Sequence, residues 1–173
     1  MKIALKKIQH SEFQSQETNC FKADLYVDGK PFAIVSNDGI GGCDMHYKHP
    51  KNLQTIKEYH EELDRVFKWH KDNTTYETEF DDRGYSEGSL DMTVGDLLTD
   101  YLITKDVKSL MSRSMIVFEQ GQEGYYKFGK KKYGIVQETM DAFKAKLNKW
   151  YGDKWVCIND MPITEAVAYY KSN

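Results

Sequence analysis

Two alternating runs joined by Asp28-Gly29 are the feature that most limits what this chain can form. Residues 20–27 alternate apolar and polar side chains, which is the period of a strand with one buried face. Asp28-Gly29 supplies the turn, because glycine accepts the positive φ that a two-residue hairpin requires. The second run covers residues 32–36, and Pro31 ahead of it suits a strand start, since proline cannot donate a ladder hydrogen bond. The sequence therefore predicts a β-hairpin in this region.

The rest of the chain carries patterns typical of further strands and of helices. Alternating or continuous apolar runs predict strands near residues 2–8, 76–80, 113–119, 125–128 and 155–158. Helical periodicity predicts helices over residues 52–70 with Asn52 as N-cap, 93–104 with a capping box at Thr93-x-x-Asp96, 136–150 closed by Gly152, and 163–171. A short turn at 107–111 could continue the second of these helices.

These elements predict an α+β fold in one domain, residues 1–173. Strand, helix and strand across residues 125–158 predict a right-handed crossover, whereas the hairpins at 20–36 and 113–128 are antiparallel. We therefore expect a mixed, mostly antiparallel sheet of five or six strands, with three or four helices packed mainly on one face.

Composition excludes several classes of protein. A chain of 173 residues can bury roughly 70% of its unfolded surface, which is enough for a core. Its formal net charge of −3 gives no general attraction to nucleic acid or anionic lipid. Its 3 cysteines include no Cys-x-x-Cys pair, which favours reduced thiols in the cytoplasm. No segment approaches the ~20 apolar residues of a membrane span, so we expect no membrane partner.

A glycine-rich loop after the hairpin is the first candidate site. Residues 36–47 leave a strand, and their backbone N–H groups could face an anion or a partner. They match neither a P-loop nor a dinucleotide-binding motif, because the following helix starts too late. The alternative is a tight loop in which glycine only meets a backbone requirement. The candidate binding residues are Ser36, Asn37, Asp38, Gly39, Gly41, Gly42 and Tyr47.

Clusters of acids and histidines form the second group of candidates. The acidic stretch 77–91, which is turn-rich over residues 81–89, offers Asp81, Asp82 and Glu87 as an acidic binding loop, although their spacing does not match an EF-hand. Soft ligands at short spacing could bind zinc, but no Cys-x-x-Cys anchors them, and we expect neither a metal nor a cofactor. The residues of that weak metal pattern are Cys43, His46, His49 and His60.

Basic and aromatic residues interleave over residues 125–133. Lysines can contact phosphates while tyrosine rings stack on bases, the combination that single-strand binding uses. The alternative is a strand with core aromatics followed by a solvated lysine turn. The residues that this nucleic-acid hypothesis names are Tyr126, Lys127, Lys130, Lys131 and Lys132.

Three segments of the N-terminal part resemble a group of small proteins carried by bacteriophages and plasmids. They are Glu17–Phe21, Ala23–Lys30 and Val35–Gly42, and the likeness is clearest over residues 1–45. The group has no established activity that would assign roles to residues. The resemblance implies a small accessory protein in the cytoplasm of a bacterial host, of the kind that binds host proteins, including defence systems.

Three functions follow as hypotheses. The leading one is a protein that binds a host protein through the glycine-rich loop and the acidic loop, because recognition residues often lie on loops of a rigid sheet. The second is nucleic-acid binding through the lysine and tyrosine patch. The third is small-ligand or nucleotide binding, with hydrolysis as an extension, around the glycine-rich loop with His46, His49 and His60. The sequence shows no nucleophile motif, so binding is favoured over catalysis, and it leaves the oligomeric state open.

Overall fold

The computed structural model of the chain describes residues 1–77, 85–129 and 137–173. Contacts within the chain group it into two compact units, Met1–Thr99 and Asp100–Asn173. Each unit has strands and helices of its own, and the expectation of a single domain stays a prediction. Among the described residues, no helix combines the length and the apolar character that crossing a bilayer requires.

The first unit is built on a four-stranded antiparallel sheet in the order β1-β2-β3-β4. The predicted hairpin is confirmed as β2 and β3, and its turn places both Asp28 (φ 47°) and Gly29 (φ 80°) in the left-handed region. The strand β4 was not predicted, and it adds a fourth strand after the glycine-rich loop. The strands are β1 (Ile3–Ser11), β2 (Cys20–Val27), β3 (Lys30–Asn37) and β4 (Met45–Lys48).

One face of this sheet forms the core of the unit. Alternate residues of β2 and β3 are buried there, namely Phe21, Ala23, Leu25, Ala33 and Val35. The helix α1 (Ile56–Asn73) contacts this sheet through aromatic rings, with 5.3 Å between the centroids of Phe32 and Tyr59 and 5.3 Å between those of His46 and Phe67.

The predicted start of α1 at Asn52 was wrong. Thr55 is the N-cap, and it forms a capping box in which its hydroxyl accepts the N–H of Glu58 while the Glu58 carboxylate accepts the N–H of Thr55. Asn52 is used elsewhere: its side chain donates to the carbonyl of Phe32 and accepts the N–H of Gln54. Asn52 and Thr55 are both residue types that favour an N-cap, and this contact of Asn52 with β3 leaves the N-cap position of α1 to Thr55.

The outer strand β1 is interrupted by a bulge. Its pairing with β2 shifts register between Lys6 and Gln9, and Lys7 has a φ of 51°. The Nζ of Lys7 lies 2.8 Å from Oδ2 of Asp24 on β2. The bulge therefore bends the edge of the sheet and places a paired charge on it.

The short strands β5 (Thr75–Glu77) and β6 (Tyr85–Glu87) form a two-stranded antiparallel sheet. The helix that follows, α2 (Leu90–Arg113), is continuous, so its predicted start at Thr93 and its predicted end at Thr104 were wrong, whereas the turn predicted at 107–111 does continue the helix. The hydroxyl of Ser89 accepts the N–H of Met92, which is the bond an N-cap makes, while the Thr93 hydroxyl lies 3.0 Å from Nδ1 of His70. The part of the predicted strand after Glu77 lies outside the described residues.

The second unit contains a three-stranded antiparallel sheet in the order β8-β7-β9. On one face, Val117 packs with Met140 and Leu147 of α3, whereas on the other Ile116 and Phe118 pack with side chains of α2 and α4. The sheet therefore lies between helices. The elements are β7 (Met115–Glu119), β8 (Tyr126–Phe128), α3 (Gln137–Tyr151), β9 (Trp155–Cys157) and α4 (Ile163–Ser172).

The α+β class is confirmed, and the single sheet of five or six strands was wrong. The described strands form three sheets of four, two and three strands, in which every pairing is antiparallel, so the sheet is not mixed. Within the second unit β8 and β9 flank β7 rather than pairing with each other. Helices cover both faces of that sheet, which corrects the prediction of helices mainly on one face. Alternation identifies a strand, but it does not identify the strand's partners.

Candidate recognition surface

Asn37, at the end of β3, organises the glycine-rich loop. Its side chain is only 8% exposed. Its Oδ1 accepts the hydroxyl of Thr18 at 2.7 Å and the N–H of Gly39 at 3.0 Å. Its Nδ2 donates to Oδ1 of Asp44 at 3.0 Å and to the carbonyl of Gly42 at 3.2 Å. Both donors and both acceptors of this amide are used, so one side chain holds the two ends of the loop.

Gly39 connects the loop to the segment between β1 and β2. Its carbonyl accepts the backbone N–H groups of Gln16, Glu17 and Thr18 at 2.9, 3.0 and 3.3 Å. Its φ is +86°, and a Cβ at this position would lie 2.4 Å from the carbonyl oxygen of Gln14. Glycine is therefore required both by the backbone conformation and by the close approach of a neighbouring chain segment.

The backbone donors of the loop are partly used within the protein. The N–H of Gly39 donates to Asn37, and the N–H of Gly41 lies 3.3 Å from the hydroxyl of Thr18. Gly39 is buried, whereas Gly42 is exposed with open space around it. This arrangement supports the role of glycine in a tight loop more than a cradle of free N–H groups for a phosphate.

Large apolar side chains project from the same region. Ile40 in the loop is 62% exposed, and Met45 and Tyr47 on β4 are each 55% exposed. Phe13, which is 97% exposed, precedes Gln14, the residue whose carbonyl meets Gly39. We call Phe13, Ile40, Met45 and Tyr47 the apolar loop group. Of the predicted loop residues only Tyr47 belongs to this group, because the others are polar residues or glycines. Ser36 and Gly41 are half-buried, and Asp38 is exposed.

Beneath this surface, β4 turns His46 inward. Its side chain is 4% exposed, and its Nε2 lies 3.7 Å from Oδ1 of Asp91. Neither of these two atoms has a hydrogen-bond partner within the described structure. Burial lowers the pKa of His46 while the Asp91 carboxylate opposes that shift. Burial also raises the pKa of Asp44 against the effect of its hydrogen bond with Asn37. Both groups are therefore displaced toward their neutral forms.

The other histidines of the weak metal pattern point elsewhere. Nδ1 of His49 accepts the N–H of Lys51 at 3.0 Å, and its Nε2 lies 3.5 Å from Oδ2 of Asp24, on the face of the sheet opposite His46. His60 and Cys43 are exposed. Among the residues that the structure describes, no three His, Cys, Asp or Glu side chains come together as metal ligands would.

The remaining predicted residues lie apart from this loop in the chain or outside the description. Glu87 is exposed, and its Oε2 lies 3.1 Å from Nζ of Lys71. Tyr126 and Lys127 are exposed on β8. Asp81 and Asp82 of the acidic loop, and Lys130, Lys131 and Lys132 of the basic patch, lie outside the described residues.

Sequence reasoning missed three members of the apolar loop group. Phe13 stands alone in the polar stretch 10–19, and Met45 alternates with inward-facing residues on an unpredicted strand. A lone apolar residue inside a polar connection was the available signal. The glycines indicated binding through backbone N–H groups of the loop, whereas the exposed apolar surface is formed by side chains.

Comparisons of this chain with protein-family models, with curated proteins and with solved structures find no match. The geometry of the loop and the composition of its surface are therefore the ground for assigning a function.

Proposed function

We propose that this protein acts by binding another protein of a bacterial host, as an accessory protein of a phage or plasmid, through the apolar loop group. The observation that carries the proposal is that its four large apolar side chains are each more than half exposed. Fully burying one such side chain contributes about 1.5–3 kcal/mol of favourable free energy. Burial of these four side chains against a partner would therefore favour association strongly. Tyrosine and methionine are also among the residues enriched in protein interfaces.

The framework under these side chains supports the same function. Asn37 holds both ends of the loop, and Gly39 ties it to residues 16–18. A loop that is already ordered does not have to lose conformational freedom when it binds, and this preserves affinity. The exposed Asp38 beside Ile40 supplies a polar position at the margin of the surface.

The experiment is affinity capture from lysate of the encoding bacterium with a paired variant. Met45→Ser combined with Tyr47→Ser removes half of the apolar loop group from exposed positions, so the fold is retained. The matched control is Leu53→Ser combined with Ile56→Ser, because these two side chains are 97% and 62% exposed in the same unit but lie outside the loop.

We expect one partner to be recovered with the wild-type chain and with the control, and its affinity to fall about 30-fold or more in the Met45 and Tyr47 variant, because a single interface residue worth ~2 kcal/mol already corresponds to that change. Equal loss in both variants, or no saturable partner for the wild-type chain, would contradict the proposal. Circular dichroism and urea unfolding of each variant establish that the fold is unchanged.

The two alternative functions stay predictions. Nucleic-acid binding keeps the exposed Tyr126 and Lys127 as its described residues, and its test is single-strand binding that weakens steeply with salt. Ligand binding at the glycine-rich loop draws no support from His46 and His49, since their side chains point to opposite faces of the sheet.

A further inference from the structure

The second unit contains an open cavity of about 160 Å³ between its sheet and α3. The strands contribute Tyr126, Phe128 and Trp155 to its lining, and α3 contributes Phe143. Val117 and Leu147 add to the apolar part of the lining, and among the lining residues that the structure describes Glu119 alone is acidic or basic. We call this cavity the aromatic pocket.

Strand register explains why these side chains meet. Glu119 lies opposite Trp155 on β9, and Val117 lies opposite Tyr126 on β8. Phe128 follows Tyr126 by two residues, and strand alternation turns both side chains to the same face. On α3, Phe143 and Leu147 are four residues apart and therefore share one side of the helix.

Specific contacts fix the walls of the pocket. The ring centroids of Phe128 and Phe143 are 4.5 Å apart, and those of Tyr126 and Phe128 are 6.4 Å apart in a stacked arrangement. The indole N–H of Trp155 donates to Oδ1 of Asn148 at 3.1 Å, so this donor is already used. The phenol of Tyr126 donates to Oε2 of Glu119 at 3.3 Å, which places the carboxylate beside the rings.

This lining has the charge pattern of a cation site. The face of an aromatic ring carries the negative part of its quadrupole, and a cation is attracted to such faces within about 6 Å. The Glu119 carboxylate adds a full negative charge. None of the seven described lining side chains is cationic, so these residues favour a cation over an anion. Among the described lining residues a bare metal ion would find one carboxylate beside rings and alkyl groups, which is a poor ligand set.

We propose that the aromatic pocket binds a small organic ammonium ion whose nitrogen carries methyl groups, with trimethylammonium as the best fit. The volume agrees with this ligand, since a cavity of about 150 Å³ holds a molecule of the size of benzene. The methyl groups would contact the rings while the positive charge faces Glu119. This site belongs to the second unit and does not rest on the proposed protein-binding function.

The test uses choline and its neutral isostere 3,3-dimethyl-1-butanol, in which carbon replaces the charged nitrogen. Each is titrated into the full ¹⁵N-labelled chain while the indole N–H signal of Trp155, assigned with Trp155→Phe, is followed. We expect a saturable shift with choline and roughly tenfold weaker binding of the isostere, because the shape is the same and the cation–π attraction is lost.

Two isosteric variants separate the pocket from general electrostatics. Glu119→Gln removes the carboxylate of the pocket, and Glu165→Gln makes the same charge change at an exposed position on α4. We expect Glu119→Gln to weaken choline binding about tenfold and Glu165→Gln to leave it unchanged. Phe143→Leu tests the ring contribution without emptying the site, and it should weaken choline more than the isostere.

Three results would overturn the inference. They are no saturable shift with choline, equal affinity for choline and its isostere, and equal effects of Glu119→Gln and Glu165→Gln. Thermal unfolding of each variant shows whether the fold is intact, and ring-current shifts of the apolar core signals provide a second measure if Glu119→Gln is less stable. Binding of choline by the wild-type chain is measured independently of any variant.

Discussion

A methyl group added at Gly39 should destabilise the first unit far more than one added at Gly42. Both residues lie in the left-handed region, with φ values of +86° and +90°. An alanine in that region costs about 1–2 kcal/mol, so this part of the effect is shared by the two variants. Gly42 has no atom within 4 Å of an added Cβ, which makes Gly42→Ala the matched control.

The additional effect at Gly39 comes from its neighbours. The added Cβ would lie 2.4 Å from the carbonyl oxygen of Gln14 and 2.8 Å from Cβ of Cys20. The first is a backbone atom and the second is bonded directly to the backbone, so neither can rotate away and the loop must move from the 14–20 segment. Such overpacking costs typically about 1–3 kcal/mol, and the total for Gly39→Ala is then about 2–5 kcal/mol.

Urea unfolding of both variants measures this difference. We expect the free energy of unfolding to fall by about 1–2 kcal/mol in Gly42→Ala and by at least about 1 kcal/mol more in Gly39→Ala. Hydrogen exchange of the Gln16, Glu17 and Thr18 amides should accelerate only in Gly39→Ala, because all three donate to the Gly39 carbonyl. Equal destabilisation by the two substitutions would refute the argument from close approach.

Two further predictions concern buried groups. Burial lowers the pKa values of His46 and His70 below the ordinary value of 6.5, so their stabilising effect is complete above pH 6.5 and is lost as the pH falls toward their folded values. The free energy of unfolding should drop below pH 6.5 by up to about 1.4 kcal/mol per pH unit for each histidine, and a flat urea midpoint between pH 7.5 and 5.5 would contradict this. Asn159→Ala should cost about 2–4 kcal/mol, because its side chain accepts the N–H of Ile116 and donates to the carbonyls of Met111 and Ser114. The control Asn73→Ala, at an exposed position, removes one hydrogen bond to the Trp69 carbonyl and should lower the free energy of unfolding by under about 1 kcal/mol in the same assay. Similar losses for the two variants would contradict the view that the Asn159 side chain links three backbone groups.

Local chemistry predicted the elements whose geometry is set by adjacent residues. Asp28-Gly29 was sufficient for the hairpin, because the turn's positive φ values are a property of those two residues. Gly152 likewise has a φ of 65°, and its N–H donates to the carbonyl of Asn148, as expected at the end of α3.

Features decided by distant contacts could not be predicted in this way. Asparagine and threonine both favour the N-cap position. The side chain of Asn52 instead donates to the carbonyl of Phe32 on β3, which leaves Thr55 as the N-cap. Strand pairing shows the same difference. The antiparallel hairpin predicted over residues 113–128 is confirmed as β7 and β8, whereas nothing in residues 115–119 indicates that β9 pairs with the other edge of β7.

The candidate surface could likewise be predicted only where adjacent residues determine it. The glycine-rich loop was identified from its composition, but the burial of Gly39 depends on residues 14–18 lying against it. The exposure of Phe13 and Met45 depends on the path of the chain around that contact. The aromatic pocket required both the register of three strands and the position of α3, neither of which periodicity supplies.

The two outer strands of the four-stranded sheet have a consequence for solubility. An unpaired strand edge is the usual template on which copies of a chain stack into fibres. Here one outer strand is broken by the kink at Lys7 and the other is only four residues long. Neither edge strand therefore offers a long, regular edge for another copy to pair with, although exposed apolar side chains lie beside them. We expect the protein to bind a partner without forming fibres through this sheet.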